Sequence, residues 1–121
     1  MNENNSLGLS KEQFQALKNE YLSALPDRLR EIEEGISKLK AQKDLETLSS
    51  VRFFIHKLAG NAALFGYEKV SKLSKEWDGK LLTMKEHFNP QEVNDAFLVQ
   101  LEQYFSQIKQ EFDNGKENPS P

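Results

Sequence analysis

The 121-residue chain contains no cysteine and only two histidines, His56 and His87. Disulfide frameworks, thiolate nucleophiles and cysteine-based zinc sites are therefore excluded together. Glycine and proline are scarce, at six and four residues, which leaves little turn chemistry for a β-sandwich or a barrel. No stretch approaches the ~18 consecutive apolar residues of a membrane span, and the Asn/Glu-rich start has no secretory apolar core. Lysine and arginine number 16 against 19 acidic residues, a net charge of −3 that argues against a general nucleic-acid binder. The length supports one domain with one core. Any chemistry that needs an imidazole must use His56 or His87.

Between polar ends, residues 1–9 and 113–121, whose composition predicts disordered tails, the periodicity is helical throughout residues 10–112. Ser10 with Gln13 is a capping-box pattern that opens a stripe of Phe14, Leu17, Tyr21 and Leu25. Pro26 removes an N–H and crowds the preceding turn. Yet Leu22, Leu25, Leu29, Ile32, Ile36 and Leu39 keep their rhythm across it, so the spacing predicts one long bent helix, or two nearly coaxial ones, ending near Gln42. Asp44 is a cap for a second helix through Leu48, Val51, Ile55, Leu58 and Ala62, closed by Gly66. A third helix carries Val70, Leu73, Trp77, Leu81 and Met84. Asn89-Pro90-Gln91-Glu92 reads as the start of a fourth, with Val93, Phe97, Leu101, Tyr104, Ile108 and Phe112 inward. Each helix is apolar along one stripe only, so all four must bury their stripes together. The expected fold is all-α, an up-and-down antiparallel four-helix bundle with a long, Pro-kinked first helix.

On the second helix His56 falls well outside the arc defined by Leu48, Val51, Ile55, Leu58 and Ala62, on the solvent side. Its helical neighbours are Arg52 and Phe53 one turn before, Ala59 and Gly60 one turn after, and Ala63 two turns after. A glycine inside a helix costs about 0.5–1 kcal/mol relative to alanine, and here it is flanked by alanines. Phe53 brings an aromatic ring where a solvated face normally carries Glu or Lys. The group forms a shallow, partly apolar patch around a titratable nucleophile. Two competing readings stand beside this one: Gly60 marks a close helix crossing, or Phe53 is covered by the N-terminal segment.

The stretch His56-Lys57-Leu58-Ala59-Gly60-Asn61-Ala62-Ala63-Leu64-Phe65-Gly66-Tyr67 resembles the signature of histidine-containing phosphotransfer (HPt) domains. In that family a histidine is followed by an apolar residue at +2 and by glycines at +4 and +10, here Leu58, Gly60 and Gly66. The preceding segment, with its Leu25-Pro26, is similar to the family's long first hairpin. The resemblance covers roughly residues 12 to 112. It implies a phosphorelay intermediate that accepts a phosphoryl group on His56 from an aspartyl phosphate of one receiver domain and passes it to another. Gly60 matches the position that lets the partner approach. Ala59 departs from the pattern, since many members carry Lys there beside the phosphoryl group. Lys57, Arg52 and Lys75 are the candidate cations in its place. Asp78 matches a position that in several members hydrogen-bonds the imidazole, and the shorter aspartate leaves direct contact or a bridging water open. The resemblance implies no metal or other cofactor in this chain, because the receiver brings its own acidic metal pocket and lysine.

His87 has nothing at metal-ligand spacing beside it and reads as a loop or helix-terminal residue. No Gly-rich phosphate loop is present, so no ATP site and no kinase activity are expected. Trp77 reads as core. Residues 57–85 carry six lysines against Glu68, Glu76 and Asp78, a local excess of +3 that suits an acidic receiver pocket, and equally a solvated helix face. The expectation is a stand-alone, monomeric, cytoplasmic phosphocarrier whose partners are response-regulator receivers and the receiver domain of a hybrid histidine kinase. The alternative is a non-catalytic adaptor that binds a partner through the Phe53–Gly60 face, with Phe53, Ala59 and Ala63 as binding residues.

Overall fold

The computed structural model describes residues 8–117, and four α-helices account for most of them: α1 Lys11–Ala41, α2 Leu45–Leu64, α3 Glu68–Glu86 and α4 Asp95–Glu117. The capping box at the start of α1 forms as the sequence predicts. The Ser10 hydroxyl accepts from the Gln13 amide at 3.1 Å, and the Gln13 side chain accepts from the Ser10 amide at 2.8 Å. The helix then runs through Pro26 without ending. An interior proline costs about 3 kcal/mol. Leu25 and Ile32, on either side of it, are almost wholly buried, and burial of each such side chain is worth about 1.5–3 kcal/mol. Packing offsets the proline, and the helix continues to its cap at Gln42.

Asp44 caps α2, accepting from the Thr47 amide at 2.8 Å, and hydrogen bonding from the Thr47 side chain and amide holds its carboxyl below the usual aspartate range. At the other end of α2 the chain turns through Gly66, at φ +86. The Tyr67 amide reaches back to the Ala62 carbonyl at 2.9 Å and the Gly66 amide to Ala63 at 3.3 Å, the paired bonds of a Schellman motif. This tight reversal makes α3 antiparallel to α2.

The start of the fourth helix differs from the expectation. Asn89 accepts from the Gln91 amide at 3.0 Å and opens only a single 3-10 turn, Pro90–Glu92. Val93 then leaves helical geometry with ψ 61, its side chain fully buried. The cap of α4 is Asn94, whose side chain accepts from the Phe97 amide at 2.9 Å. Phe97 is only partly buried, whereas Leu98 and Phe105, absent from the predicted stripe, join the core. At its far end α4 continues to Glu117, past the boundary expected at 113. Of the tails expected at residues 1–9 and 113–121, residues 1–7 and 118–121 lie outside the described residues.

The core is one cluster to which all four helices contribute. Trp77 is fully buried and stacks on Tyr104 at 5.7 Å between ring centroids, with 10° between the planes. The close crossing of α1 and α2 uses Gly35, not Gly60. A Cβ on Gly35 would lie 3.0 Å from Val51 Cγ2. The most intimate pair is α2 with α3, where Ser71 meets Ala59 and where Ala62 and Ser74 are also small and buried. No described helix is long and apolar enough to cross a membrane.

Candidate functional site

Small residues in the α2–α3 seam bring the two backbones close, and the Ser71 hydroxyl donates to the Ala59 carbonyl at 3.2 Å. Seven residues further along α3, Asp78 lies on the same stripe as Ser71, two turns on. Because the helices are antiparallel, Asp78 comes level with the turn of α2 that carries Arg52 and His56.

His56 stands at the outer edge of this seam with its side chain 65% exposed. Its Nδ1 lies 2.9 Å from Asp78 Oδ2, across a sequence separation of 22 residues. The contact is direct, which settles the choice between contact and a bridging water. An ionised carboxylate only accepts, so Nδ1 is the donor in this contact, and in the neutral ring the lone pair is then on Nε2. The second carboxylate oxygen is also engaged: Arg52 Nε donates to Asp78 Oδ1 at 3.0 Å. Asp78 is 16% exposed and Arg52 24%, so both are drawn into the seam while the imidazole stands outside it.

The remaining predicted residues separate into three groups. Gly60 and Ala63 are exposed beside His56, and a Cβ built on Gly60 meets nothing within 4 Å. Gly60 is therefore not a helix crossing; the space beside it opens outward. Phe53 is 57% exposed and uncovered by any described segment, with the Lys57 ammonium 5.2 Å above its ring. Lys75 is exposed and belongs to no ion pair among the described residues.

One expectation needs correction. Ala59, counted among the exposed binding residues, is only 4% exposed, because its methyl group is what α3 packs against. Arg52, a candidate for holding the phosphoryl group, donates through Nε to Asp78. His87 is the C-cap of α3, as its sequence context predicts. Sequence reasoning missed the Ser71 contact with Ala59. The signal was available: Ser71 and Ser74 are small residues on one stripe of α3, as Ala59 and Ala62 are on α2. Among the described residues no group of three or more His, Asp or Glu side chains is arranged to hold a metal.

An exposed histidine on the second helix of a four-helix bundle, oriented through Nδ1 and bordered by an open glycine, agrees with the family model that matches the chain. That model, the Hpt domain, matches residues 16–111, and the chain belongs to this family. Hpt domains serve histidine phosphotransfer in two-component signalling and interact with receiver domains. No curated protein and no solved structure matches the chain.

Proposed function

We propose that the chain is a phosphocarrier that accepts a phosphoryl group on Nε2 of His56 from a receiver-domain aspartate and delivers it to a second receiver. The observation that carries this reading is the exposed imidazole whose Nδ1 is 2.9 Å from Asp78. In the forward step the Nε2 lone pair attacks phosphorus, an N–P bond forms, and the P–O bond to the partner's aspartate breaks. The aspartate leaves as a carboxylate. The imidazole, already protonated on Nδ1, becomes a phosphorylated imidazolium whose positive charge faces Asp78. No proton has to leave, so the chain needs no general base. Return to a second receiver is the same sequence reversed.

Positioning and charge neutralisation dominate phosphoryl transfer, and both are available here. The open side of Gly60 lets the partner's phosphoaspartate come close to Nε2. Exposed Phe53, with Lys57 over it, and Ala63 offer a partner a mixed apolar and cationic rim. For the phosphoryl oxygens the best-placed cation is Lys75. It shares a stripe of α3 with Ser71 and Asp78, which contact Ala59 and His56, so it lies level with the histidine. Lys57 and Arg52 are already engaged. In this reading the protein acts in the cytoplasm as a monomer without kinase activity of its own, and its phosphoryl donor is the receiver domain of a hybrid histidine kinase.

Incubation with a phosphorylated receiver tests the reading. The chain should acquire an acid-labile, alkali-stable label that is absent from His56→Gln. A chain that binds receivers through Phe53 but is labelled by none would be the adaptor instead.

A further inference from the structure

We infer that Arg52 is a positioning residue for the reaction, acting on His56 through Asp78. This rests on the reading of His56 as phosphoryl acceptor. Arg52 and His56 are four residues apart on α2, and each takes one oxygen of the same carboxylate: Nε of Arg52 at 3.0 Å from Oδ1, Nδ1 of His56 at 2.9 Å from Oδ2. Asp78 is thereby tied to α2 at two points one turn apart. Held by a single hydrogen bond, an aspartate side chain is free to rotate away from an exposed ring. Held at both oxygens, it keeps one face toward Nδ1.

Charge makes the second half of the argument. A lone carboxylate beside an imidazole favours the imidazolium form, which carries protons on both nitrogens and has no lone pair to attack phosphorus. The Arg52 guanidinium on the far oxygen balances that carboxylate. The other charged groups around the site are Lys57 on α2, drawn over Phe53, and Lys75 on α3. Asp78 is the sole acidic group in ion-pair contact with His56 among the described residues, and α1 and α4 contribute none. His56 therefore meets one acidic side chain, and it shares that side chain with Arg52. For a part-buried pair such as Arg52–Asp78 desolvation offsets much of the attraction, so it adds little to stability. Its value lies in keeping the ring oriented.

The test follows phosphoryl acceptance from a phosphorylated receiver between pH 6 and pH 9 for the full chain and its variants. Arg52→Gln should be slower at pH 7 by about five- to tenfold, with the acid limb of its profile moved to higher pH. Most of the rate should return at pH 9. Arg52→Lys keeps the charge and should restore the position of the limb. Asp78→Asn removes the group through which Arg52 acts, so adding Arg52→Gln to it should slow the reaction no further. An unshifted limb in Arg52→Gln, or additive losses in the double variant, would overturn the inference. Label that survives in His56→Gln overturns instead the acceptor assignment beneath it, so the two failures are distinguishable.

Discussion

The Ser71 hydroxyl donates to the carbonyl of Ala59 at 3.2 Å, and this contact marks the register that brings Asp78 to His56. The reactive geometry is thus a consequence of helix packing. A seam of alanines and serines lets α3 approach α2 closely enough for an aspartate, the shortest acidic side chain, to reach an imidazole on the neighbouring helix.

Enlarging that seam should separate stability from site geometry. Ala59→Leu places three extra carbons in a position only 4% exposed. The expected cost is about 1–3 kcal/mol, read as a lower urea midpoint. The same variant should lose the His56–Asp78 hydrogen bond, seen as a change in the ring-nitrogen NMR shifts of His56. A variant that is both stable and unshifted would show that Ala59 does not govern the approach of α3.

Two glycines should respond in opposite directions. Gly60→Ala adds a Cβ to open space and gains about 0.5–1 kcal/mol of helix propensity, so its melting temperature should rise. Phosphoryl acceptance should nevertheless fall, because the added methyl stands where the partner must come close. Gly35→Ala adds a Cβ 3.0 Å from Val51 Cγ2. Val51 is fully buried and β-branched, so it has nowhere to turn, and this variant should lose about 1 kcal/mol. Thermal melts and a transfer assay on both variants check the pair.

The bundle and the exposure of His56 were legible in the sequence because both follow from periodicity. His56 lies off a clear core stripe, and the 3-4 rhythm persists across Pro26 because packing outweighs one interior proline. What was not legible depends on which of two local options wins. Asn89 and Asn94 are both good caps. Asn89 spends its side chain on Gln91, two residues on, and buried Val93 interrupts the helix before Asn94 restarts it. The burial of Ala59 and the Arg52–Asp78 contact were missed for a different reason. A helical wheel separates core from surface, but it does not show that a neighbouring helix covers one flank of the surface arc. Once α3 lies there, Ala59 is buried and Arg52 faces Asp78.

Acid should weaken the junction between α1 and α2. The Asp44 carboxyl is held below its ordinary range by hydrogen bonding from the Thr47 side chain and amide, so the folded chain binds this proton less readily than the unfolded one. That contribution to stability is present above the ordinary aspartate range and is lost as pH falls through the lowered value. Asp44→Ala removes the cap and should melt a few degrees lower at pH 7. The difference from the parent chain should shrink toward pH 3. A constant difference across that range would mean that the carboxylate charge contributes nothing to the cap.

Lys75→Gln tests the counter-charge. The variant should still be labelled at His56, but phosphoryl acceptance should slow by about tenfold and become less sensitive to salt. Lys80 lies on the opposite face of α3, and its removal should leave both properties unchanged. Equal effects from the two lysines would reduce Lys75 to one contributor to a general basic surface.

The most direct measurement is the position of the phosphoryl group on the phosphorylated chain, read from phosphorus–proton couplings to the imidazole ring. With Nδ1 hydrogen-bonded to Asp78 at 2.9 Å, the phosphorus should be bonded to Nε2 of His56. Phosphorus on Nδ1, or on any residue other than His56, would contradict the account.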